Sequence, residues 1–267
     1  MGETTVSLAP EPLPVATPAT VGRIPAATVW ATLAGAGLLA LSSVAGSTFV
    51  VLAVALGGFV LAFGLPLVTG ATSLVRSTGA LAAATVLAAW AVLVVEGEPP
   101  LRLVPVAVAA SLVLTFLAQL TRSDNRPQLA RCLVGDALGI TAIVSGMALA
   151  PLVDLRPDDV VIGAAMAGIV AASLLDPLVG RTAQGWLLPG ALVLGASGAA
   201  AVGAAASPGA SLLVYLTLGS VAGVGACAVR WVLADQSPAG RGALAIAVAG
   251  LLIPGLAVFA VARLLLG

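Results

Sequence analysis

From Ile24 onward the chain is a succession of apolar runs separated by short polar breaks. Each run approaches the length that a helix needs to cross about 30 Å of hydrocarbon. Nine are read, at residues 24–44, 48–68, 78–95, 103–120, 133–153, 160–175, 185–204, 210–233 and 243–265. Backbone groups in lipid must satisfy one another within the segment, so such runs are helical. None shows the short alternating segments of a membrane barrel. The expected fold class is therefore all-α: a polytopic transmembrane helix bundle of about nine spans over residues 23–267. The first two runs are parted only by Ala45–Ser47, which leaves an interfacial hairpin as the alternative for that pair. Residues 1–22 carry Glu3, Glu11 and four prolines, and lack the basic start and apolar core of a cleaved signal. They are read as a disordered tail.

The spacing of small residues within the runs predicts how the helices meet. Ala191, Gly195, Ala199 and Gly203 recur every fourth position, as do Gly219, Gly223 and Cys227. Such ridges are flat, and helices in lipid associate through close backbone approach. Pro66, Pro189 and Pro254 are expected to kink their spans, and the Gly250, Pro254, Gly255 cluster marks the strongest predicted bend.

Composition narrows the chemistry. Charged residues are 8% of the 267 and hydrophobic residues 60%, whereas a soluble domain is about a quarter charged. The formal net charge is zero, so nothing favours nucleic acid as a partner, and the lipid bilayer is the expected one. All eleven basic residues are Arg. Without Lys there is no Schiff-base or P-loop lysine, and without His the commonest metal ligand and proton shuttle is missing. Cys132 and Cys227 show no metal-binding spacing and are read as apolar fillers. No metal site is expected, and the residues identify neither a cofactor nor a protein partner.

The arginines also predict orientation, because basic loops resist translocation. With the N-terminus cytoplasmic, Arg23, Arg76, Arg122, Arg126, Arg131, Arg181, Arg230 and Arg241 lie inside, against Arg102, Arg156 and Arg263 outside. The expected location is the cell membrane, with the C-terminus outside.

Ionisable residues near or within spans are the candidates for function, since embedded charge is costly. Asp136 lies near the start of the fifth span, one turn past Arg131, where a helix dipole and that arginine are expected to balance it. Asp158 and Asp159, at the start of the sixth span, read the same way. Asp176 is different. It stands at the C-terminal end of its span, where a carboxylate is disfavoured, and Pro177 stops the helix after it. A compensating cation is expected, either Arg181 nearby or Arg122, Arg126 or Arg131 from the neighbouring loop. The pair is either an interfacial tether or part of a cytoplasmic-face site for an anionic headgroup or its metal ion. The loop "TRSDNRPQLARC", residues 121–132, either binds anionic lipid headgroups or acts only as a topology signal.

The order of these features resembles the phosphatidate cytidylyltransferases: nine helices, an Arg-rich loop before the fifth, "DPLVGR" after the sixth and "VRWVLADQSPAGRG" before the last. That resemblance implies a membrane enzyme making a nucleotide-activated lipid, with Arg230 and Asp235 as the residues carried over. The chain departs from the family pattern in two ways. Asp176 precedes Gly180 by four residues where the family has about seven, and "AGVGACAVRW" lacks the family's carboxylates. The chain also resembles multi-pass membrane proteins of high-GC actinobacteria that carry a "RSDNRPQLAR"-type loop. Three functions are therefore expected, in this order: a non-catalytic lipid- or partner-binding membrane protein, a permease or flippase, and a lipid cytidylyl- or phosphotransferase using Asp136 and Asp176.

Overall fold

A computed structural model describes residues 26–71, 73–95, 101–121, 129–155, 160–177, 186–206, 211–234 and 240–266. Every regular element among them is helical: α1 (Ala26–Ala45), α2 (Ser47–Val68), α3 (Leu74–Leu93), α4 (Val104–Leu120), α5 (Leu129–Met147), α6 (Ala150–Leu155), α7 (Val161–Ser173), α8 (Leu187–Ala206), α9 (Leu212–Ala234), α10 (Arg241–Leu252) and α11 (Gly255–Leu266). Each of the nine apolar runs is a helix or an interrupted one. Seven stretches have the length and apolarity to cross a membrane: α1, α2, α3, α8, α9, Leu129–Val153 and Arg241–Leu266. The other two, α4 and α7, are shorter.

The outer surface suits lipid. Val44, Phe63, Val75, Val193 and Leu264 are exposed, a density of apolar side chains that water would not tolerate. Trp30, Trp90, Trp186 and Trp231 are also exposed and lie close to helix ends, where aromatic rings anchor at a membrane interface. Helix length, apolarity and this surface together fit a membrane-embedded protein.

Helices α7, α8 and α9 form one corner, each packed on the other two. Its centre is a glycine node. A β-carbon on Gly195 would lie 2.5 Å from the carbonyl oxygen of Gly219, and one on Gly168 would lie 2.8 Å from the Gly219 Cα. Only hydrogen side chains allow three backbones to approach this closely. The predicted ridge of α8 is buried in full, at Ala191, Gly195, Ala199 and Gly203. Helices α3, α4 and α5 form a second mutually packed corner. Between the corners, α2 packs on α3, α5 and α10, while α1 packs on α7 and α10.

Of the three prolines, Pro254 breaks its span: α10 ends at Leu252 and α11 begins at Gly255. Proline offers no N–H and its ring crowds the preceding turn. Ser145 of α5 repairs the break, its Oγ donating to the Ile253 carbonyl at 2.6 Å and accepting from the Leu256 N–H at 2.8 Å. Pro189 lies in the first turn of α8, where no helical N–H is needed, and α2 continues through Pro66. The α1–α2 junction is the single residue Gly46, whose φ of +123° suits glycine alone.

Candidate functional site

Asp176 sits in the turn after α7. The last turn tightens there, with the N–H groups of Leu174, Leu175 and Asp176 bonding to carbonyls three residues back. At thirteen residues, α7 is roughly 20 Å long, well short of a hydrocarbon core of about 30 Å. The short helix therefore leaves Asp176 inside the bundle.

Its partner is Arg230 of α9. Arg230 Nε donates to Asp176 Oδ2 at 2.8 Å, with the side chains 0% and 1% exposed. This corrects the expectation of a partner from the neighbouring loops. Arg131 is exposed at the start of α5, its guanidinium beside Gly70, and Arg181, Arg122 and Arg126 lie outside the described residues. Arg230 is read in the sequence as a cytoplasmic topology signal and as a residue carried over by the cytidylyltransferase resemblance, yet it is completely buried. The legible signal is its register. The small-residue face Gly219, Gly223, Cys227 reaches Arg230 at the next i+3 step, so Arg230 continues a buried ridge.

Space for the guanidinium comes from Gly250 of α10. A β-carbon there would lie 3.0 Å from Arg230 Cγ and 3.4 Å from Nη1. Gly250 is nine residues into α10, roughly 14 Å from the start of that helix. Both side chains of the ion pair are therefore buried within the bundle. It is also incomplete. Nη1 and Nη2 of Arg230 and Oδ1 of Asp176 are buried without a hydrogen-bond partner in the protein. An arginine and a carboxylate can share two parallel bonds; this pair makes one.

Asp136 lies in the other corner. It is the eighth residue of α5, beyond the first turn, so the expected dipole contact with the helix start is not what balances it. Arg131 is not its partner either. Ser77 Oγ of α3 donates to Asp136 Oδ2 at 3.3 Å, and Gln119 Nε2 of α4 donates to the same oxygen at 3.2 Å. Gln119 Nε2 also reaches Ser77 Oγ at 3.5 Å. Sequence reading missed Ser77 and Gln119, because small polar residues near span ends are unremarkable until a carboxylate faces them. Asp158, Asp159 and Asp235 lie outside the described residues.

The two carboxylates are thus held in different corners, Asp176 by α9 and Asp136 by α3 and α4. Between α5, α9 and the α10–α11 break lies an open hollow of about 220 Å³, lined by Leu138, Ala228, Val229, Val232, Leu233 and Ile253. All six are apolar. Among the described residues, no group of three or more His, Cys, Asp or Glu is arranged to hold a metal ion. No family model, curated protein or solved structure matches the chain.

Proposed function

We propose that the protein is a non-catalytic lipid-binding protein of the cell membrane, crossing it nine times with the N-terminus in the cytoplasm. The observation that carries this reading is the hollow between α5 and α9. Its lining is wholly apolar, and both of its flanking helices have the length and apolarity of spans. An acyl chain is the occupant that an apolar lateral crevice between spans accepts. Arg131 lies two turns before Leu138 on the same face of α5, on the side toward the predicted cytoplasm, where an anionic headgroup would sit. The separation of Asp136 from Asp176 argues against a transferase, which would need both carboxylates around one metal and phosphate.

The test is the lipid content of the protein purified in mild detergent, read by native mass spectrometry. Retained phospholipid is expected, and Val229→Trp, which fills the hollow, should reduce it several-fold. A lipid-free wild type, or retention untouched by that change, refutes the reading. A permease is the second reading. It is favoured by the recessed Asp176–Arg230 pair beside a broken helix, since interrupted spans and embedded charges line transport sites.

A further inference from the structure

We propose that Arg230 and Asp176 form a proton-coupled site for a monoanionic carboxylate, in which the ligand replaces Asp176 on the guanidinium and Asp176 takes up a proton. This site is separate from the α5–α9 hollow and does not depend on it.

The argument begins with the leftover atoms. A fully buried guanidinium spends one N–H on Asp176 and leaves both terminal nitrogens unpaired, while the second carboxylate oxygen is also unpaired. Uncompensated polar atoms in a low-dielectric interior are costly, so a pair kept only for packing would close into the two-bond fork. In this arrangement Asp176 supplies one acceptor oxygen, to Nε, and both terminal nitrogens stay open to acceptor oxygens from a ligand.

Charge then sets the ligand class. Arg230 with an ionised Asp176 is neutral, and a second anion added to that pair would leave net negative charge in the bundle. Neutrality is restored when Asp176 is protonated. In the exchange, the Arg230–Asp176 bond breaks, one carboxylate and one proton enter, the carboxylate takes the fork, and the proton stays on the Asp176 carboxyl. One negative charge balances; a dianion does not. Two syn oxygens favour a carboxylate over chloride.

The surroundings leave the exchange to this pair. Among the elements packed on α7, neither α1 nor α8 has a titratable residue, and α6 carries Asp154. Helix α9 contributes Arg230, Cys227 and, near its other end, Tyr215, which packs on Gly203. Helices α10 and α11, which pack on α9, carry Arg241 at the first position of α10 and Arg263 in the last turn of α11. Asp176 stands on a turn outside any helical ladder, so its side chain can leave Arg230 without unwinding α7.

The test uses the full chain in zwitterionic-lipid nanodiscs, titrated calorimetrically with sodium acetate between about pH 6 and pH 8, where acetate stays ionised. Affinity should fall roughly tenfold per pH unit, with uptake of about one proton per acetate. Asp176→Asn should bind acetate more tightly and without pH dependence, and acetate should raise its melting temperature. The double variant Asp176→Asn with Arg230→Gln removes both charges, so it remains foldable, and it should not bind. Nanodiscs doped with oleate separate the ligand sources. Acetate binding in undoped discs assigns a free carboxylate, and binding seen only as oleate retention that depends on Arg230 assigns a lipid one. The proposal is overturned if neither probe binds, if binding survives in the double variant, or if wild-type affinity is independent of pH.

Discussion

The α7–α8–α9 corner and the α3–α4–α5 corner each bury one carboxylate, and they balance it by different means. In the first, Asp176 faces a fully buried arginine through a single bond, and three polar atoms are left over. In the second, Asp136 receives two neutral donors, a hydroxyl and an amide, from two other helices. The packing differs in the same sense. The first corner is limited by backbone, with glycines of three helices in contact, while the second is filled by side chains such as Leu81 and Leu65 against Gly139. A carboxylate satisfied by neutral groups is a structural knot. A charge pair with spare valences, about 16 Å along α9 from the Gly219 contact, is where the proposed carboxylate would bind.

The sharpest way to break this contrast is to remove one charge of the pair. Arg230→Met strands Asp176 in the interior, a change expected to cost about 3–5 kcal/mol, whereas Asp176→Leu combined with Arg230→Met should be near neutral. Thermal unfolding in a single detergent measures both. If the single variant melts with the wild type, the pair is hydrated and the contrast fails.

The glycine contacts give the next effect. Gly219→Ala drives a methyl into the Gly195 carbonyl and the Ala199 side chain, so α8 and α9 must part, at about 1–3 kcal/mol. Gly139→Ala meets only the ends of Leu81 and Leu65, which can move, and it gains up to about 1 kcal/mol of helix propensity. The first substitution should lower the melting temperature and the second should leave it nearly unchanged. Equal effects would mean that the two corners are packed alike.

Much of this architecture is legible in the sequence, for physical reasons that also mark where legibility ends. Lipid enforces internal hydrogen bonding, so apolar runs specify helices, and the fourfold spacing of Ala191, Gly195, Ala199 and Gly203 specifies the face that is buried. Pro254 announces its break because a missing N–H is a local fact. Partner choice is not local. Arg230 is 54 residues from Asp176, and although its register on the small-residue face of α9 points it inward, nothing in "AVRWVLADQ" names its partner. Gly250 on a third helix contributes by leaving room for the guanidinium. Asp136 taught the same lesson in reverse: its nearest arginine in sequence is Arg131, but Ser77 and Gln119 arrive from neighbouring helices. Short-range spacing predicts elements and faces, while the groups that meet across three helices follow from packing.

The smallest effect tests the neutral corner. Asn at position 136 retains an oxygen that accepts from Ser77 and Gln119, and it removes a buried charge that no arginine compensates among the described residues. Hydrogen bonds between membrane helices average about 0.6 kcal/mol, so Asp136→Asn should shift stability by no more than about that amount in either direction. Asp136→Leu should cost somewhat more, because it removes an acceptor from both the Gln119 amide and the Ser77 hydroxyl. Melting temperatures of the two variants, measured beside Asp176→Asn without acetate, rank the corners directly. The expected order of loss is Asp176→Asn, then Asp136→Leu, then Asp136→Asn, since only the first leaves a buried guanidinium without a counter-charge. Should Asp136→Asn prove the most damaging of the three, Asp136 would be serving as an ionised group. The neutral corner, and not the charged one, would then be the place to look for chemistry.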